Sequence, residues 1–554
     1  RTWALAEAGR QLAQVLVPAV KGSGVNLTAV QKAASLYQLC VSLSSLEDDA
    51  APKMSALLRK LGLGWPPNSP GFIEETRVPT RTEAEALLLN LIALSLRWGM
   101  HTLLRCQVEP ERNPQGVLVL TVGIGNELSD WLKARTELQR LGTYNEVLIA
   151  VVAAFRWPGG RPQASSVVRS VASADRLLSA LISNTSLWFG THISAETWSQ
   201  VTSRVAGRRV TPVVASSTLL TALEYFVLKM TDDASVTTAW LVLRKLAPLS
   251  VNSSPVEIEA QDARSRHCID LINSEMPLAV ATAYARASDT AANASTSSAA
   301  NTIIHEVASK MAELLDASGR FRMAESVRTI RAIFLLPMED DVVDALYESV
   351  PVADSRRTLF GSLALTTSTM AQRRLAALGA RLDHLSLPLF ARPLDARLRY
   401  VESLHALLVP MVVLEPPVFR ETLTDSVNYG SFGRLIAEVL IETFVRNPYI
   451  SKPCNEAASN FTAALLRYAA VERPVKRAFQ AQANNHRIAA SDVRLLGFQD
   501  FSDEQTYFIA GCYLRCGSAE ESCAMPFRHN RWFSAAFGCP PNTPMNPEER
   551  CAFW

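Results

Sequence analysis

The segment from Asn428 to Phe444 reads NYGSFGRLIAEVLIETF. Its glycines predict a turn at the start, and the residues that follow have the apolar character of a helix. Glu438 and Glu442 stand four residues apart on this helix, so both carboxylates project from one face, with Cβ atoms roughly 5–6 Å apart. This spacing is typical of a helix that holds a metal ion with two side chains.

Zincin metallopeptidases carry the motif His-Glu-x-x-His on such a helix, where two imidazoles bind zinc and the glutamate is the general base. The corresponding positions here are Glu438, Val439 and Glu442. Val439 cannot accept a proton, and ligation by oxygen alone suits calcium, magnesium or manganese better than zinc. The two carboxylates are therefore either remnants of a lost zinc site or part of an oxygen-ligand metal site.

Further blocks resemble the neprilysin and endothelin-converting-enzyme family of zinc metallopeptidases. LEPPVF at residues 414–419 precedes NYGSFG, as Leu-x-Pro-Pro-Phe-Phe precedes Asn-Tyr-Gly-x-x-Gly in that family. Other matching blocks are QKAASLYQLC (31–40), GWP (64–66), FSAAFGCP (533–540), MNP (545–547) and CAFW (551–554). The resemblance therefore spans nearly the whole chain.

This resemblance implies a mainly α fold, a two-lobed neprilysin-like ectodomain with a few short strands. It implies a helical N-terminal domain over residues 1–390 and a zincin-type C-terminal domain with a degenerate metal helix over 391–554. The local sequence pattern predicts a helix over 81–105, an exposed loop over 285–301 and a helix over 301–315.

The resemblance also implies that catalytic parts are missing. The family's third zinc ligand belongs to a Glu-Asn-x-x-Asp motif, which the sequence lacks between Phe461 and Leu495, so we expect the ligand-bearing helix to be absent. The family's substrate-holding segment aligns with residues 397–400, in which only Tyr400 is retained. Tyr400 and Asn428 are the candidate substrate-binding residues. We expect no catalytic residue and no cofactor, although the family uses zinc.

A second partial motif begins at His305 and Glu306, but Ser309 fills the second ligand position. A lone partial match is a weak signal. We interpret His305 as a partly exposed side chain on an amphipathic helix of the N-terminal domain.

The cysteines and glycosylation sequons favour an oxidising compartment. By the resemblance, Cys40 pairs with Cys268. The family's partner of Cys551 corresponds to Arg467 here, so we take Cys454 as the substitute partner, whereas Cys512 has no partner that we can assign. The candidate glycosylation sites are Asn26, Asn184, Asn252, Asn293 and Asn460. These features predict an extracellular or cell-surface protein, with any signal or anchor upstream of Arg1.

The composition excludes some partners. Lysine and arginine number 55 against 53 aspartate and glutamate, so a net charge of +2 indicates neither nucleic acid nor an anionic membrane. No apolar run reaches the roughly eighteen residues that a membrane span needs.

We therefore interpret the chain as a neprilysin-family homologue that does not cleave peptides by the zinc mechanism and instead binds peptides or protein partners. The alternative is a metalloendopeptidase that uses a non-zinc metal through Glu438 and Glu442. A third hypothesis is a structural role in assembly with an active family member.

Overall fold

The computed structural model describes residues 2–15, 27–42, 58, 63, 81–110, 117–154, 160–184, 192–247, 257–288, 293–352, 359–383, 386–445, 463–486, 494–514, 527–548 and 550. These residues form two compact units. The N-terminal unit comprises Thr2–Ala287 and Met338–Ala391, and the C-terminal unit comprises Ser288–Pro337 and Arg392–Trp554.

Helices dominate both units. The helices are α1 (Thr2–Gln14), α2 (Ala29–Val41), α3 (Arg81–Trp98), α4 (Asn126–Leu141), α5 (Tyr144–Ala154), α6 (Gly160–Ser183), α7 (Ala195–Ala206), α8 (Thr218–Lys229), α9 (Thr231–Leu246), α10 (Glu257–Glu275), α11 (Pro277–Ala287), α12 (Ala294–Ala317), α13 (Phe321–Arg328), α14 (Asp340–Leu346), α15 (Leu359–Ala376), α16 (Asp425–Asn428), α17 (Arg434–Leu440), α18 (Ala463–His486), α19 (Asp503–Tyr513) and α20 (Arg531–Ala536).

The N-terminal unit packs its helices around a small sheet. Strands β1 (Leu104–Glu109) and β2 (Val119–Ile124) are antiparallel, and β3 (Val213–Val214) lies parallel to β2. Helix α2 begins at Thr28, whose side chain accepts from the Gln31 backbone N–H at 3.2 Å while the Gln31 side chain accepts from the Thr28 backbone N–H at 3.0 Å. This capping box satisfies two backbone donors at the start of the helix.

One disulfide joins two helices of this unit. Cys40 in α2 is bonded to Cys268 in α10, with the Cα atoms 5.9 Å apart and a sequence separation of 228. The structure therefore contains the Cys40–Cys268 disulfide that the family resemblance implied.

The C-terminal unit contains the second sheet. Strand β4 (Arg331–Leu335) pairs in parallel with β6 (Ala406–Pro410), and β5 (Arg399–Val401) pairs antiparallel with the other edge of β6. Because β4 and α12 lie before residue 338 in sequence, the C-terminal unit is built from two separate chain segments.

The mainly helical fold with a few short strands is confirmed. The domains 1–390 and 391–554 stay a prediction, because the compact units are discontinuous in sequence. Two local predictions were wrong: the helix predicted over 81–105 ends at Trp98 before β1, and the loop predicted over 285–301 is helical from Ala294 onward. The side chain of Asn293 caps that helix by accepting from the Thr296 backbone N–H at 3.0 Å. Within the described ranges, no helix is long and apolar enough to cross a membrane.

Candidate functional site

Residues 425–445 form one continuous helical segment in the C-terminal unit. Helix α16 widens into a π-helical turn over Tyr429–Gly433, returns to α geometry in α17, and ends in a second π-helical turn over Ile441–Val445. The helix predicted from the sequence is present, but the turn predicted at its glycines is helical. Such π-helical turns occur frequently at functional sites.

Gly430 is required by close packing rather than by a turn. A Cβ atom at this position would lie 2.2 Å from the backbone oxygen of Tyr507 in α19. Gly433 has an ordinary helical φ of −56°, and its added Cβ would lie 3.2 Å from Val475 Cγ1 in α18. The glycines therefore allow this helical segment to approach α18 and α19 closely.

The positions that hold zinc in the family face a mixed environment here. Glu438 and Val439 are half-buried, Glu442 is exposed, and both carboxylates have interaction partners. Zinc prefers imidazole and thiolate donors in sets of three or four. In the part of the chain that the structure describes, no group of three histidine, cysteine, aspartate or glutamate side chains is placed to hold a metal ion. The residues at these positions therefore do not fit zinc.

A helix does follow the degenerate motif, so the expectation that it would be absent was wrong. Helix α18 packs against α17 and contains Pro474, a residue that disfavours helix interiors and weakens the sequence signal. Two side chains of α18, Glu472 and Lys476, form ion pairs with residues of the neighbouring helices. Glu472 and Lys476 carry opposite charges four residues apart, in a helix that lacks the family's Glu-Asn-x-x-Asp motif.

Arg434 and Glu472 form a buried ion pair between α17 and α18. Their side chains are 4% and 5% exposed. The Arg434 guanidinium carbon lies 5.0 Å from the ring centre of Tyr507 and 4.9 Å from that of Phe527. A Cβ added at Gly511 would lie 2.3 Å from Arg434 Nε, so this glycine provides the space for the guanidinium.

Glu472 gathers further polar groups around the pair. Its Oε2 accepts from Asn530 Nδ2 at 3.3 Å and, at a long 3.5 Å, from the Tyr507 hydroxyl. Burial, followed by the charge of Glu472, raises the pKa of Tyr507 well above its usual range. Tyr507 therefore stays neutral and donates a hydrogen bond at physiological pH.

Lys476 is a second buried cation, with a side chain that is 0% exposed. Its Nζ donates to Glu504 Oε1 at 3.0 Å and lies 4.8–5.6 Å from the ring centres of Phe479, Tyr507 and Phe508. Burial lowers the pKa of Lys476, and the neighbouring Glu504 opposes that shift. The region beside the degenerate motif is thus filled by ion pairs and aromatic rings, which the sequence analysis did not predict.

The two candidate substrate-binding residues, Asn428 and Tyr400, make different contacts in the structure. Asn428 is buried, and its side chain bonds the 420–423 backbone: Nδ2 donates to Arg420 O at 2.9 Å, and Oδ1 accepts from Arg420 N at 3.2 Å. Tyr400 in β5 is half-buried, and its hydroxyl oxygen lies 2.8 Å from His405 Nδ1. Its ring packs edge-on against Phe444, with 5.1 Å between the ring centres. Asn428 therefore stabilises the loop before the motif, while Tyr400 contacts the end of the motif helix.

His305 is exposed on α12, as the sequence analysis expected, although this helix belongs to the C-terminal unit. Its neighbour Glu306 accepts a hydrogen bond from the Tyr429 hydroxyl. The partial His-Glu motif therefore contributes a structural contact to the π-helical turn.

The remaining predicted cysteines and sequons are only partly covered. Cys454 and Cys551 lie outside the described residues, as do Asn26, Asn252 and Asn460. Cys512 is disulfide-bonded, whereas the thiols of Cys106 and Cys539 are free. Asn184 and Asn293 are exposed, and glycosylation at either position stays a prediction.

Comparison with solved structures defines the class of fold. The zinc metalloprotease Zmp1 of Mycobacterium tuberculosis matches with a TM-score of 0.65 and 14% identity over 99% of this chain and 92% of that one. PepO of Lactobacillus rhamnosis matches with a TM-score of 0.60 and 13% identity over 98% and 92%. A Haemonchus galactose-containing glycoprotein complex matches with a TM-score of 0.64 and 11% identity over 99% and 91%. The chain thus has the fold of zinc metalloproteases of the neprilysin type.

Sequence comparison gives a more limited match. Neprilysin-11 of Caenorhabditis elegans is 24% identical over 28% of this chain, and the match spans only 24% of that protein's length. No family model matches the sequence. The fold and the partial sequence match together support the resemblance to the neprilysin family.

Proposed function

We propose that this protein binds peptides or protein partners in the extracellular space and does not hydrolyse peptides by the zinc mechanism. The observation that carries the proposal is that the fold is retained while the residues at the zinc-ligand and general-base positions differ from those of the family. Glu438, Val439 and Glu442 stand where the family has two imidazoles and a general base, and removing such a base alone costs roughly 10²–10⁴-fold in rate.

The buried ion pairs beside the motif support the same proposal. Arg434 lies on the motif helix α17 and Lys476 on the neighbouring α18, and they are paired with Glu472 and Glu504 respectively. The carboxylates of Glu472 and Glu504 are therefore already engaged by cations of the chain. Restoring a metal centre therefore requires more than exchanging the three motif residues.

Two measurements on the purified protein test this proposal. We expect less than stoichiometric zinc by elemental analysis and no chelator-sensitive cleavage of a broad peptide library. The variant E438H/V439E/E442H, which restores the motif, serves as the matched control, and we expect it to remain inactive because the neighbouring cations are unchanged. Stoichiometric zinc together with turnover that a chelator abolishes would refute the proposal.

The second candidate is a metalloendopeptidase that uses a non-zinc metal through Glu438 and Glu442. It is favoured only by the four-residue spacing of the two carboxylates. If it is correct, manganese or calcium raises the melting temperature of the protein, and Glu442→Ala removes the effect. Asp500→Ala, at an exposed carboxylate outside the motif sequence, is the control. No change in melting temperature with any divalent ion counts against this candidate.

An assembly role is the third candidate. The structural match to a galactose-containing glycoprotein complex from Haemonchus supports it, because a protein with this fold is part of a complex there. Co-elution with an active family member in size-exclusion chromatography supports this role, whereas elution as separate species speaks against it.

A further inference from the structure

Three arginines meet on one surface of the C-terminal unit. Arg473 and Arg477 lie four residues apart on α18, so they share a helix face. Arg531 begins α20, and the preceding residue Asn530 donates to Glu472 Oε2 at 3.3 Å. Because Glu472 adjoins Arg473 in sequence, this hydrogen bond holds Arg531 near Arg473. We call Arg473, Arg477 and Arg531 the arginine cluster.

The arginine cluster is electrostatically unbalanced. Partial burial and then the charges of Arg477 and Arg531 lower the pKa of Arg473. Among the ion pairs of the described residues, none involves a member of the cluster. Glu472 in α18 and Glu504 in α19 are already paired with Arg434 and Lys476. Like charges at this spacing repel one another, so a bound anion would stabilise this surface.

The guanidinium groups are accessible and partly held in place. Arg473 and Arg531 are exposed, and Arg477 is half-buried. The guanidinium carbon of Arg531 lies 5.2 Å from the ring centre of Trp532, a cation–π contact that leaves its N–H edges available. Planar guanidinium groups donate paired hydrogen bonds that match the oxygen geometry of sulfate and phosphate.

We propose that the arginine cluster binds a tetrahedral oxyanion, carried by a sulfated polysaccharide. The overall charge of +2 provides no long-range attraction for nucleic acid, so the recognition is local and suits one or two anionic groups. The choice of polysaccharide rests on the predicted extracellular location, in which sulfate groups are displayed on sugar chains.

Binding of a heparin-derived oligosaccharide to the full-length protein tests the proposal. We expect R473Q/R477Q/R531Q to lower the affinity by at least about tenfold, because hydrogen bonds to charged groups are lost. The affinity of the unaltered protein should also fall steeply with salt, and the slope should be smaller in the variant. Inorganic sulfate and inorganic phosphate should each compete, since the chemistry of recognition is shared.

The matched control removes three exposed arginines elsewhere, in R204Q/R209Q/R322Q, and its affinity should be unchanged. Absence of heparin binding by the unaltered protein, full binding by the cluster variant, or an equal loss in the control would each overturn the proposal. Stronger binding to phosphatidylserine vesicles than to heparin would also overturn it.

Melting temperature separates binding from folding. Because the cluster repels itself without a ligand, R473Q/R477Q/R531Q should melt at the same temperature as the unaltered protein or higher. If that variant melts at a lower temperature, heparin binding is measured instead with Arg473→Lys, which keeps the positive charge but loses the paired hydrogen-bond donors. Weaker heparin binding with an unchanged melting temperature then supports the proposal, and unchanged binding refutes it.

Discussion

Removing the charge of Glu472 should destabilise the protein far more than removing a surface charge. Glu472→Gln leaves the Arg434 guanidinium buried at 4% exposure without its counterion. Two of its nitrogens, Nε and Nη2, have no hydrogen-bond partner among the described residues, so the rings of Tyr507 and Phe527 and a neutral amide oxygen at position 472 would replace the counterion. Breaking a buried pair in this way costs about 3–5 kcal/mol.

The double variant separates this effect from a loss of packing. In Arg434→Met/Glu472→Gln both charges are gone and the methionine fills much of the arginine volume. Because the double variant no longer buries an uncompensated charge, we expect it to be more stable than Glu472→Gln alone, by roughly 2 kcal/mol or more.

Urea unfolding followed by far-ultraviolet circular dichroism measures these differences. The control is Glu313→Gln, which breaks a surface pair with Lys310 at 2.7 Å and should change the free energy of unfolding by less than about 1 kcal/mol. If Glu472→Gln lowers the free energy of unfolding no more than Glu313→Gln does, the buried Arg434–Glu472 pair does not stabilise the unit.

Three further predictions concern stability. Burial, followed by the charge of Lys245, lowers the pKa of His267 to about 4 from 6.5. The unfolded state therefore takes up a proton first, and the free energy of unfolding should fall by about 2–3 kcal/mol as pH drops from 6.5 to 4, a decrease that Phe at position 267 removes. Gly430→Ala should cost more than about 2 kcal/mol, measured by thermal unfolding, because its Cβ would meet a backbone oxygen at 2.2 Å. Replacing Cys40 and Cys268 by alanine should cost roughly 5 kcal/mol in the chain-entropy model, seen as a lower melting temperature.

Each of these three has a result that would contradict it. A His267→Phe variant with the same acid dependence as the unaltered protein would show that another group titrates. Gly433→Ala, whose Cβ would meet a movable side chain at 3.2 Å, is the control for position 430, and equal losses at both positions would remove the argument from close approach. An unchanged melting temperature without the disulfide would show that it does not restrict the unfolded chain.

Local sequence features predicted the parts of this protein that depend on short-range pattern. The spacing of apolar residues identified the helix around Glu438, and motif blocks identified the fold family and the Cys40–Cys268 disulfide. The absence of histidine from residues 438–442 is likewise readable directly, because the chemistry of a side chain is fixed by its type.

Capping and close packing gave weaker signals. Asn293 starts α12 well before the predicted residue, since a run rich in alanine and serine resembles a loop until its cap is recognised. The glycines at 430 and 433 predicted a turn, although they are present because α18 and α19 lie against the helix.

The buried charges and the arginine cluster were decided by the tertiary structure alone. Nothing in the sequence near Arg434 or Lys476 indicates burial, since charged residues are normally exposed. Their burial depends on Glu472 and Glu504, which come from other helices, and Arg531 joins Arg473 only through the fold. The free energy of a charge is set by its partners in space, and those partners are distant in sequence.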